Sequence, residues 1–462
     1  MHEDKRIGRS LMLLYVLVSN YKSFDEKAEL SLISSSKIQG NKNHRVKIKQ
    51  TGTLKYASVY GANASGKSNL IKAISFVKRT LLEGLSMDSC FDFCKTKVEN
   101  EKKESIFELR FTTEDKFYAY GFSAVLSERR ITEEWLYELH QDGSSRPLFL
   151  REGEDAPKLG DGLALSSHER NRFEVYASDF SSRPSRLFLS EMNHGKKYEE
   201  GSKLFFFKNV FEQIVNHIIV LGPNMSLSNT DVYYDEASLE RISNLIKTFD
   251  TGVSEIKTRK ISPEEMGRMV PKEMLSLMMD ALKKQMQVSN LPELRMTWRT
   301  DNAFFALCVK QGEEAEVTTL VLKHDKSLFD FSFGEESDGT KRLFDLIDML
   351  LDKREDLTYV VDELERSLHP KLTEHFLRLF MEVHGSDRDQ LIFTTHEDSI
   401  MDQELFRRDE IYFVEKETSG GSKIYSLDRF KERYDKKLGK AYLEGRYGAI
   451  PVFKEFSFKK EA

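Results

Sequence analysis

The sequence predicts an α/β fold with a mixed sheet, an antiparallel β meander and a largely helical insertion. Near the N-terminus, a strand-like apolar run ends at Tyr60 and is followed by a glycine-rich loop and a helical pattern. Helical and strand patterns alternate again over 329–462. Short alternating runs within 105–139 predict the meander, and the polar stretch 141–328 shows mainly helical periodicity. We therefore expect an N-terminal half at 1–140, the insertion at 141–328 and a C-terminal half after it.

Apolar residues recur at the spacings of individual strands and helices in both halves and in the insertion. The expected strands are 11–19, 28–33, 56–60, 358–361 and 391–395. The expected helices are 69–82, 205–220, 239–249, 272–286, 341–352 and 371–384. The helix 272–286 is rich in Met and Leu, which favours a packed core face over an adaptable partner groove.

Composition limits the function classes. The 462 residues include 32% charged residues and carry a net charge of -6, which argues against a free-standing nucleic-acid binder. DNA binding is therefore possible but not favoured, and it would need a local patch such as the basic loop 42–49. Three cysteines are too few for a disulfide framework or a four-ligand zinc site, so we expect a cytoplasmic protein. The apolar run 11–18 is far shorter than the roughly 20 residues of a membrane span, so no membrane helix is expected.

Residues 61–68, Gly-Ala-Asn-Ala-Ser-Gly-Lys-Ser, match the pattern G-x-x-x-x-G-K-[ST] at every fixed position, between a predicted strand and a predicted helix. Glycines let successive backbone N–H groups turn toward a phosphate, and the helix N-terminus adds partial positive charge. We expect Lys67 to reach the β and γ phosphates of ATP and Ser68 to ligate Mg²⁺. The predicted nucleotide-binding residues here are Gly61, Asn63, Ser65, Gly66, Lys67, Ser68 and Asn69.

A second element lies where the apolar strand 357–361 ends in Asp362 and Glu363. In phosphoryl-transfer sites the first acid of such a pair holds the metal, so Asp362 is the second predicted Mg²⁺ ligand. Glu363 is then placed to polarise the attacking water as a general base. An apolar run ending in two acids is common on its own, and the upstream glycine loop is what makes this pair a candidate site.

Two further pieces narrow the class of protein. His396 follows the next predicted strand, where an imidazole could hydrogen-bond a γ-phosphate, and we take it as a second catalytic candidate. The segment 333–341 precedes a predicted helix, and its Ser337 and Gly339 could supply further donors to the nucleotide.

The order of these four elements, together with "VSNYKSF" at 18–24, resembles the ABC-type ATPase fold of the SMC and DNA-repair branch. In that family the Ser-x-Gly segment of one subunit completes the nucleotide site of another. The resemblance therefore implies a homo-oligomer with ATP sandwiched between subunits, and Ser337 and Gly339 acting on a neighbouring subunit's ATP.

More narrowly, "GANASGKSNL", "VVDELERSLHPKL", "TTHEDSIMD" and "GRYGAIP" resemble the prokaryotic AAA15, or OLD-like, ATPases of phage defence. The size and the last of these motifs look like the ATPase subunits of the phage anti-restriction-induced system, abbreviated PARIS. The resemblance implies a scaffold that holds a separate TOPRIM-like effector nuclease and releases it when a phage anti-restriction protein is sensed. We expect no nuclease centre in this chain, and we interpret the late Asp387-x-Asp389 as a polar turn.

Two alternatives remain open from the sequence. A DNA-repair or SMC-like ATPase that clamps DNA is favoured by the basic loop 42–49 but disfavoured by net acidity and the lack of long coiled-coil arms. The nucleotide-binding subunit of a transporter is disfavoured by "ELERSLHP" after the acidic pair and by the missing Leu-Ser-Gly-Gly-Gln signature.

Overall fold

The computed structural model of the protein describes most of the chain. The described residues are 11–180, 183–199, 201–223, 225, 233, 236–270, 272–289, 293–300, 302–310, 315–385, 387–430 and 437–451. They divide into two compact units: unit 1 is Met1–Pro223, Lys353–Glu365 and Met381–Ala462, and unit 2 is Asn224–Asp352 and Arg366–Phe380. The sequence-based boundaries at 140 and 328 follow changes in composition along contiguous stretches, whereas these units are discontinuous.

The elements are numbered in chain order. The strands are β1 (Met12–Ser19), β2 (Ala28–Ser31), β3 (Arg45–Ile48), β4 (Thr51–Leu54), β5 (Tyr56–Tyr60), β6 (Ser105–Thr113), β7 (Lys116–Val125), β8 (Arg130–Leu139), β9 (Ser145–Glu152), β10 (Lys158–Leu159), β11 (Ile218–Leu221), β12 (Val253–Lys260), β13 (Glu293–Arg299), β14 (Phe304–Lys310), β15 (Glu316–His324), β16 (Phe331–Ser332), β17 (Thr358–Val361), β18 (Gln390–Thr394), β19 (Ile411–Lys416) and β20 (Ser422–Ser426). The helices are α1 (Lys67–Glu83), α2 (Ser167–Phe180), α3 (Phe188–Glu191), α4 (Phe205–Glu212), α5 (Glu236–Lys247), α6 (Pro263–Met269), α7 (Lys272–Ser289), α8 (Asp338–Leu351), α9 (Pro370–Val383) and α10 (Leu438–Leu443).

Unit 1 contains a mostly parallel sheet with the strand order β11-β17-β18-β5-β19-β20. Neighbouring strands from β11 to β19 pair in parallel, and β20 pairs with β19 antiparallel. Every residue of β5, β17 and β18 is buried, as expected for parallel strands covered on both faces. The sequence-based strands at 56–60 and 358–361 are confirmed, because continuous apolar runs bounded by polar residues mark such strands clearly.

The second sheet of unit 1 is the antiparallel meander, with the order β10-β9-β8-β7-β6-β1-β2. Helix α1 packs in the same core as this sheet, and Phe76 of α1 stacks on Phe107 of β6 with ring centroids 4.7 Å apart. The α/β class, the mixed sheet and the meander are thus confirmed.

Residues 141–223 belong to unit 1, although composition placed them in the insertion. The reason is a set of phenylalanines that pack in the core of the meander: Phe149 of β9 contacts both Phe188 and Phe207, with centroids 5.5 and 5.8 Å apart. The predicted helix 205–220 is wrong in its last part. Helix α4 ends at Glu212, a π-helical turn covers Gln213–His217, and the β-branched run that follows forms β11 on the edge of the parallel sheet.

Unit 2 is less helical than the sequence predicted for the insertion. Besides helices α5 to α8, it contains an antiparallel sheet of order β12-β15-β14-β13, to which β16 adds by pairing with β15. Charged residues interrupt these strands, so their period-two pattern is weak in the sequence. The Met-rich helix α7 does pack as expected in part, since Leu282 is buried in the local core with Met278, Met279 and Met286 against it, whereas Leu277 is exposed.

Within the part of the chain that the structure describes, no helix combines the length and the apolarity that crossing a bilayer requires.

Candidate nucleotide-binding site

The carboxyl ends of three neighbouring parallel strands meet at one edge of the unit 1 sheet. In the register, Phe393 of β18 lies opposite Val361 of β17, and Thr394 lies opposite Val59 of β5. The loops that follow these strands carry the predicted glycine loop, the acidic pair and the histidine. Ligands of open α/β sheets bind at such an edge, so the fold brings most of the predicted site residues together.

The glycine loop has a backbone that only glycine fits at its fixed positions. Gly66 has a φ of +113°, and a Cβ there would lie 2.5 Å from Ser23 Oγ. A Cβ on Gly61 would lie 2.3 Å from the carbonyl oxygen of Val414. Asn63 is exposed on the loop, and helix α1 begins at Lys67, directly after Gly66. The loop therefore presents its amides at a helix N-terminus, where anions bind.

Lys67 is buried within this loop. Its Nζ donates to the carbonyl oxygens of Gly61 at 2.7 Å and Ala62 at 3.1 Å, and it lies 3.3 Å from His396 Nδ1. Burial lowers the pKa of Lys67 to about 8, and the nearby carboxylates, Glu365 first among them, oppose this shift. The ammonium group thus stays charged at neutral pH and is held by two carbonyl oxygens of the loop.

His396 lies at the end of β18 with its imidazole beside Lys67. Because the ammonium can only donate, Nδ1 must accept from it, which places the ring proton on Nε2. Burial, followed by the charge of Lys67, lowers the pKa of His396, which favours the neutral form of the ring. A neutral imidazole with a free Nε2–H donor suits a phosphate oxygen. The backbone N–H of His396 donates to Glu365 Oε1 at 2.6 Å.

The acidic pair is held by Thr394, a residue that the sequence did not single out. Its hydroxyl donates to Asp362 Oδ1 at 2.6 Å and accepts from the backbone N–H of Glu363 at 2.8 Å. Asp362 is buried, and its own N–H donates to Leu221 of the edge strand β11. Glu363 has a φ of +49°, an uncommon conformation for a residue with a side chain, and such strain is concentrated at functional sites.

Two serines that are distant in sequence support the glycine loop through hydrogen bonds. Ser422 Oγ donates to the carbonyl oxygen of Ser65 at 2.5 Å, and its N–H donates to the carbonyl oxygen of Ser23 at 2.7 Å. Ser23 Oγ in turn accepts from the side-chain amide of Asn69 at 2.8 Å. Asn69 therefore supports the loop, and its contact with nucleotide stays a prediction. No sequence spacing could connect residues 23, 69 and 422.

The residues present fit ATP and Mg²⁺. Ser65 Oγ is buried and has no hydrogen-bond partner among the described residues, so the loop keeps an unused polar atom beside its amides. Ser68, in the first turn of α1, offers a hydroxyl, and Asp362 offers a carboxylate, which are the oxygen ligands that Mg²⁺ prefers. Lys67 and the loop amides supply the donors that phosphates need. The individual roles of these residues stay predictions.

Ser337 and Gly339 belong to unit 2, whereas the other predicted site residues belong to unit 1. Ser337 Oγ caps helix α8 by accepting from the N–H of Thr340 at 3.1 Å. A Cβ on Gly339 would lie 2.7 Å from the carbonyl oxygen of Ser367, so glycine allows α8 to approach that backbone. Both residues thus have a role within unit 2, and their contact with nucleotide stays a prediction.

The late Asp387-x-Asp389 lies in the polar link between α9 and β18, at the opposite, amino-terminal edge of the sheet. The potential metal-ligand atoms of His384, Asp387 and Asp389 lie within 4.8 Å of one another. Asp389 accepts from Leu357 N–H and pairs with His384 Nδ1, each at 2.6 Å, while Lys55 Nζ donates to the carbonyl oxygen of His384. These bonds give the group a role in joining strand ends.

Comparison with solved structures finds proteins of the SMC and RecF type. The SMC head bound to the C-winged helix domain of ScpA shows 14% identity and a TM-score of 0.39, covering 90% of this chain and 97% of that chain. The SMC head domain from Thermotoga maritima shows 14% identity and a TM-score of 0.33, covering 90% and 98%. The recombination mediator RecF with ATP shows 14% identity and a TM-score of 0.27, covering 92% and 98%.

No curated protein matches the chain in sequence. A family model does match, over residues 57–402, which span the glycine loop, the acidic pair and His396. By that match, the chain belongs to the family described as "AAA domain, putative AbiEii toxin, Type IV TA system".

Proposed function

We propose that this chain is an ATPase of the ABC type that binds ATP with Mg²⁺ at the carboxyl edge of the unit 1 sheet. The observation that carries the proposal is the convergence of Lys67, the acidic pair and His396 on three adjacent strand ends. The family match spans the same residues and supports it.

The proposed chemistry follows from the positions of the side chains. Lys67 and the loop amides hold the phosphates, and His396 Nε2–H donates to a γ-phosphate oxygen. Ser68 and Asp362 would hold Mg²⁺, which supplies charge neutralisation on the phosphate oxygens. Glu363 accepts a proton from water as the water oxygen bonds to the γ-phosphorus and the bond to the leaving diphosphate oxygen breaks. The strained backbone at Glu363 supports a role for that carboxylate in chemistry.

The binding and base roles are tested by two substitutions and a control. Lys67→Ala should abolish binding of a fluorescent ATP analogue, and retained affinity would remove the loop from the site. Glu363→Gln should bind ATP normally but hydrolyse it about 10²-fold more slowly, as loss of a general base predicts. Glu404→Gln removes an exposed carboxylate of the same unit and should behave as wild type.

We further propose a homo-oligomer in which Ser337 and Gly339 of one subunit complete the ATP site of another. The exposed position of Ser337 at the N-terminus of α8, where backbone amides point outward, supports this role. Mixing Lys67→Ala with Ser337→Ala should restore part of the hydrolysis, because some hetero-oligomeric sites would combine two intact halves. A mixture as inactive as its components would count against a shared site.

For the biological role, we propose a cytoplasmic scaffold of phage defence that holds a separate TOPRIM-like effector nuclease and releases it on sensing a phage anti-restriction protein. The AAA15/OLD-like motifs and the toxin–antitoxin wording of the family description support it. The test is co-purification of the chain with the product of a neighbouring TOPRIM-like reading frame, followed by addition of an anti-restriction protein. Release of the nuclease is expected, and a complex that is unchanged by that protein would contradict the sensing role.

A DNA-clamping ATPase is the second candidate. The hairpin β3–β4 and the residues just before it carry a patch of exposed basic side chains, which favours DNA binding: Lys42, Arg45, Lys47 and Lys49. Duplex binding that weakens steeply with salt and with charge reversal of Lys47 and Lys49 would support this candidate. Binding that is absent at low salt would exclude it.

A further inference from the structure

A third carboxylate, Glu365, lies two residues after Glu363 and takes part in the site. It is the last residue of unit 1 in this stretch, and it is half-buried. Its Oε1 accepts from the backbone N–H of His396 at 2.6 Å, while the N–H of Leu364 donates to the carbonyl oxygen of Thr394 at 3.1 Å. The turn after β17 is therefore tied to the chain after β18 at two points.

These bonds define the position of His396 from both sides. The backbone N–H is held by the Glu365 carboxylate, and the imidazole is held by Lys67 at 3.3 Å. His396 is exposed as a residue, although its imidazole is partly desolvated beside Lys67, so packing alone does not fix its rotamer. A donor aimed at a phosphate oxygen must be held within fractions of an ångström to be useful. Glu365 is the group in this turn that supplies a charged acceptor to that backbone.

The second oxygen of Glu365 also indicates more than a structural bond. Oε2 is buried and has no hydrogen-bond partner among the described residues. Leaving a buried carboxylate oxygen unsatisfied costs free energy, and such groups in folded proteins call for an explanation. The oxygen lies where the charge of Glu365 acts on both Lys67 and His396. The buried oxygen without a partner therefore favours a role for Glu365 at the site beyond its bond to the backbone.

We propose that Glu365 is a positioning residue for ATP hydrolysis: it fixes the backbone of His396 so that the imidazole meets the γ-phosphate. The inference rests on the proposed ATPase activity and adds a residue to it. A purely structural role would make the loss of Glu365 lower stability without acting through His396. The proposed role instead requires that the effect of Glu365 on turnover disappear when His396 is absent.

The experiment compares Glu365→Ala and Glu365→Gln in the full chain, with Glu404→Ala as the matched exposed control. Glu365→Ala should lower kcat about tenfold, the size expected for losing one charge-assisted hydrogen bond, while the Kd for an ATP analogue stays within about threefold. Glu365→Gln should restore kcat to within about threefold of wild type, because its amide oxygen still accepts from the His396 N–H. In a His396→Ala background, Glu365→Ala should cause no further loss.

Three results would overturn the inference. The first is a kcat of Glu365→Ala equal to that of Glu404→Ala. The second is an equal loss in Glu365→Gln and Glu365→Ala, and the third is a full tenfold loss that persists in the His396→Ala background. If the alanine variant shows no cooperative thermal transition, Glu365→Met, which fills the same space without an acceptor, takes its place in the same comparison.

The same assay separates this inference from the proposed function. If wild type and Lys67→Ala hydrolyse ATP equally slowly, the proposed function itself fails. If wild type is active, Glu363→Gln is inactive and Glu365→Ala is unaffected, only the inference about Glu365 fails.

Discussion

Replacing Thr394 by valine should loosen the acidic pair without disturbing the strand that carries it. Valine has nearly the same shape and favours strands equally well, so the change removes only the hydroxyl. That hydroxyl donates to Asp362 Oδ1 at 2.6 Å and accepts from the Glu363 N–H at 2.8 Å, in a residue that is fully buried. A single substitution therefore removes both bonds.

The expected loss of stability follows from these two bonds. The bond to the Asp362 carboxylate contributes about 1.5–3 kcal/mol, whereas the Glu363 N–H is only partly buried, so water can replace its acceptor and the loss there is about 0.5–1.5 kcal/mol. Together, Thr394→Val should destabilise unit 1 by about 2–4.5 kcal/mol. The matched control is Thr358→Val on the neighbouring strand, whose hydroxyl donates to Gln390 Oε1 at 3.0 Å. Gln390 Oε1 also accepts from Leu13 N–H, so this control should cost only about 1 kcal/mol.

The assay uses the two tryptophans of the chain, one in each unit. In a Trp298→Phe background, the fluorescence of Trp135 reports urea unfolding of unit 1. Turnover is measured on the same variants, and Thr394→Val should lose at least tenfold in kcat while Thr358→Val keeps wild-type turnover. Equal turnover in the two variants, or equal midpoints in urea, would refute the reasoning that Thr394 holds the acidic pair.

Three further predictions concern single positions. Gly66→Ala should fold but lose at least about tenfold in ATP affinity, because its Cβ would lie 2.5 Å from Ser23 Oγ at a φ of +113°. Titration with an ATP analogue measures this affinity, and an unchanged value would show that the loop tolerates a side chain. ATP affinity should fall above about pH 8, by up to tenfold per pH unit, because Lys67, whose pKa is depressed, loses its charge in that range. A Lys67→Arg variant that binds ATP should keep its affinity over the same range. If the affinity of that variant also falls, another group causes the pH dependence. Gly339→Ala should destabilise unit 2 by about 1–3 kcal/mol, since its Cβ would lie 2.7 Å from the Ser367 carbonyl oxygen. Urea unfolding followed by tryptophan fluorescence measures this loss, and an unshifted midpoint would contradict the close approach of α8 to the Ser367 backbone.

The parts of the site that could be predicted from sequence are those whose chemistry is local. The glycine loop has fixed spacing because one turn of backbone must fit one phosphate, so 61–68 was recognisable without any tertiary information. Asp362 and His396 were recognisable because each follows a buried apolar strand. In a parallel sheet, strand ends share an edge, and this topological rule brings three separate patterns together in one candidate site.

The supporting residues could not be predicted, because their partners are set by the fold. Thr394, Ser422 and Ser23 act through hydrogen bonds that span up to hundreds of residues in sequence, and nothing in their local pattern distinguishes them from other hydroxyls. The strand Ile218–Leu221 was missed for a related reason. Its four apolar residues continue a helical pattern, and only pairing with β17 selects the extended conformation.

The discontinuity of the two units has a practical consequence for dissecting the protein. Unit 2 is formed from two separate stretches of the chain. The short segment between them, Lys353–Glu365, belongs to unit 1 and contains β17 with its acidic pair. Deleting Asn224–Asp352 as if it were a simple insertion would leave Arg366–Phe380 without the rest of unit 2, and the new junction would lie directly before Lys353. Truncation is therefore a poor way to separate the roles of the units, and point substitutions or a circularly permuted chain are the suitable genetic tools.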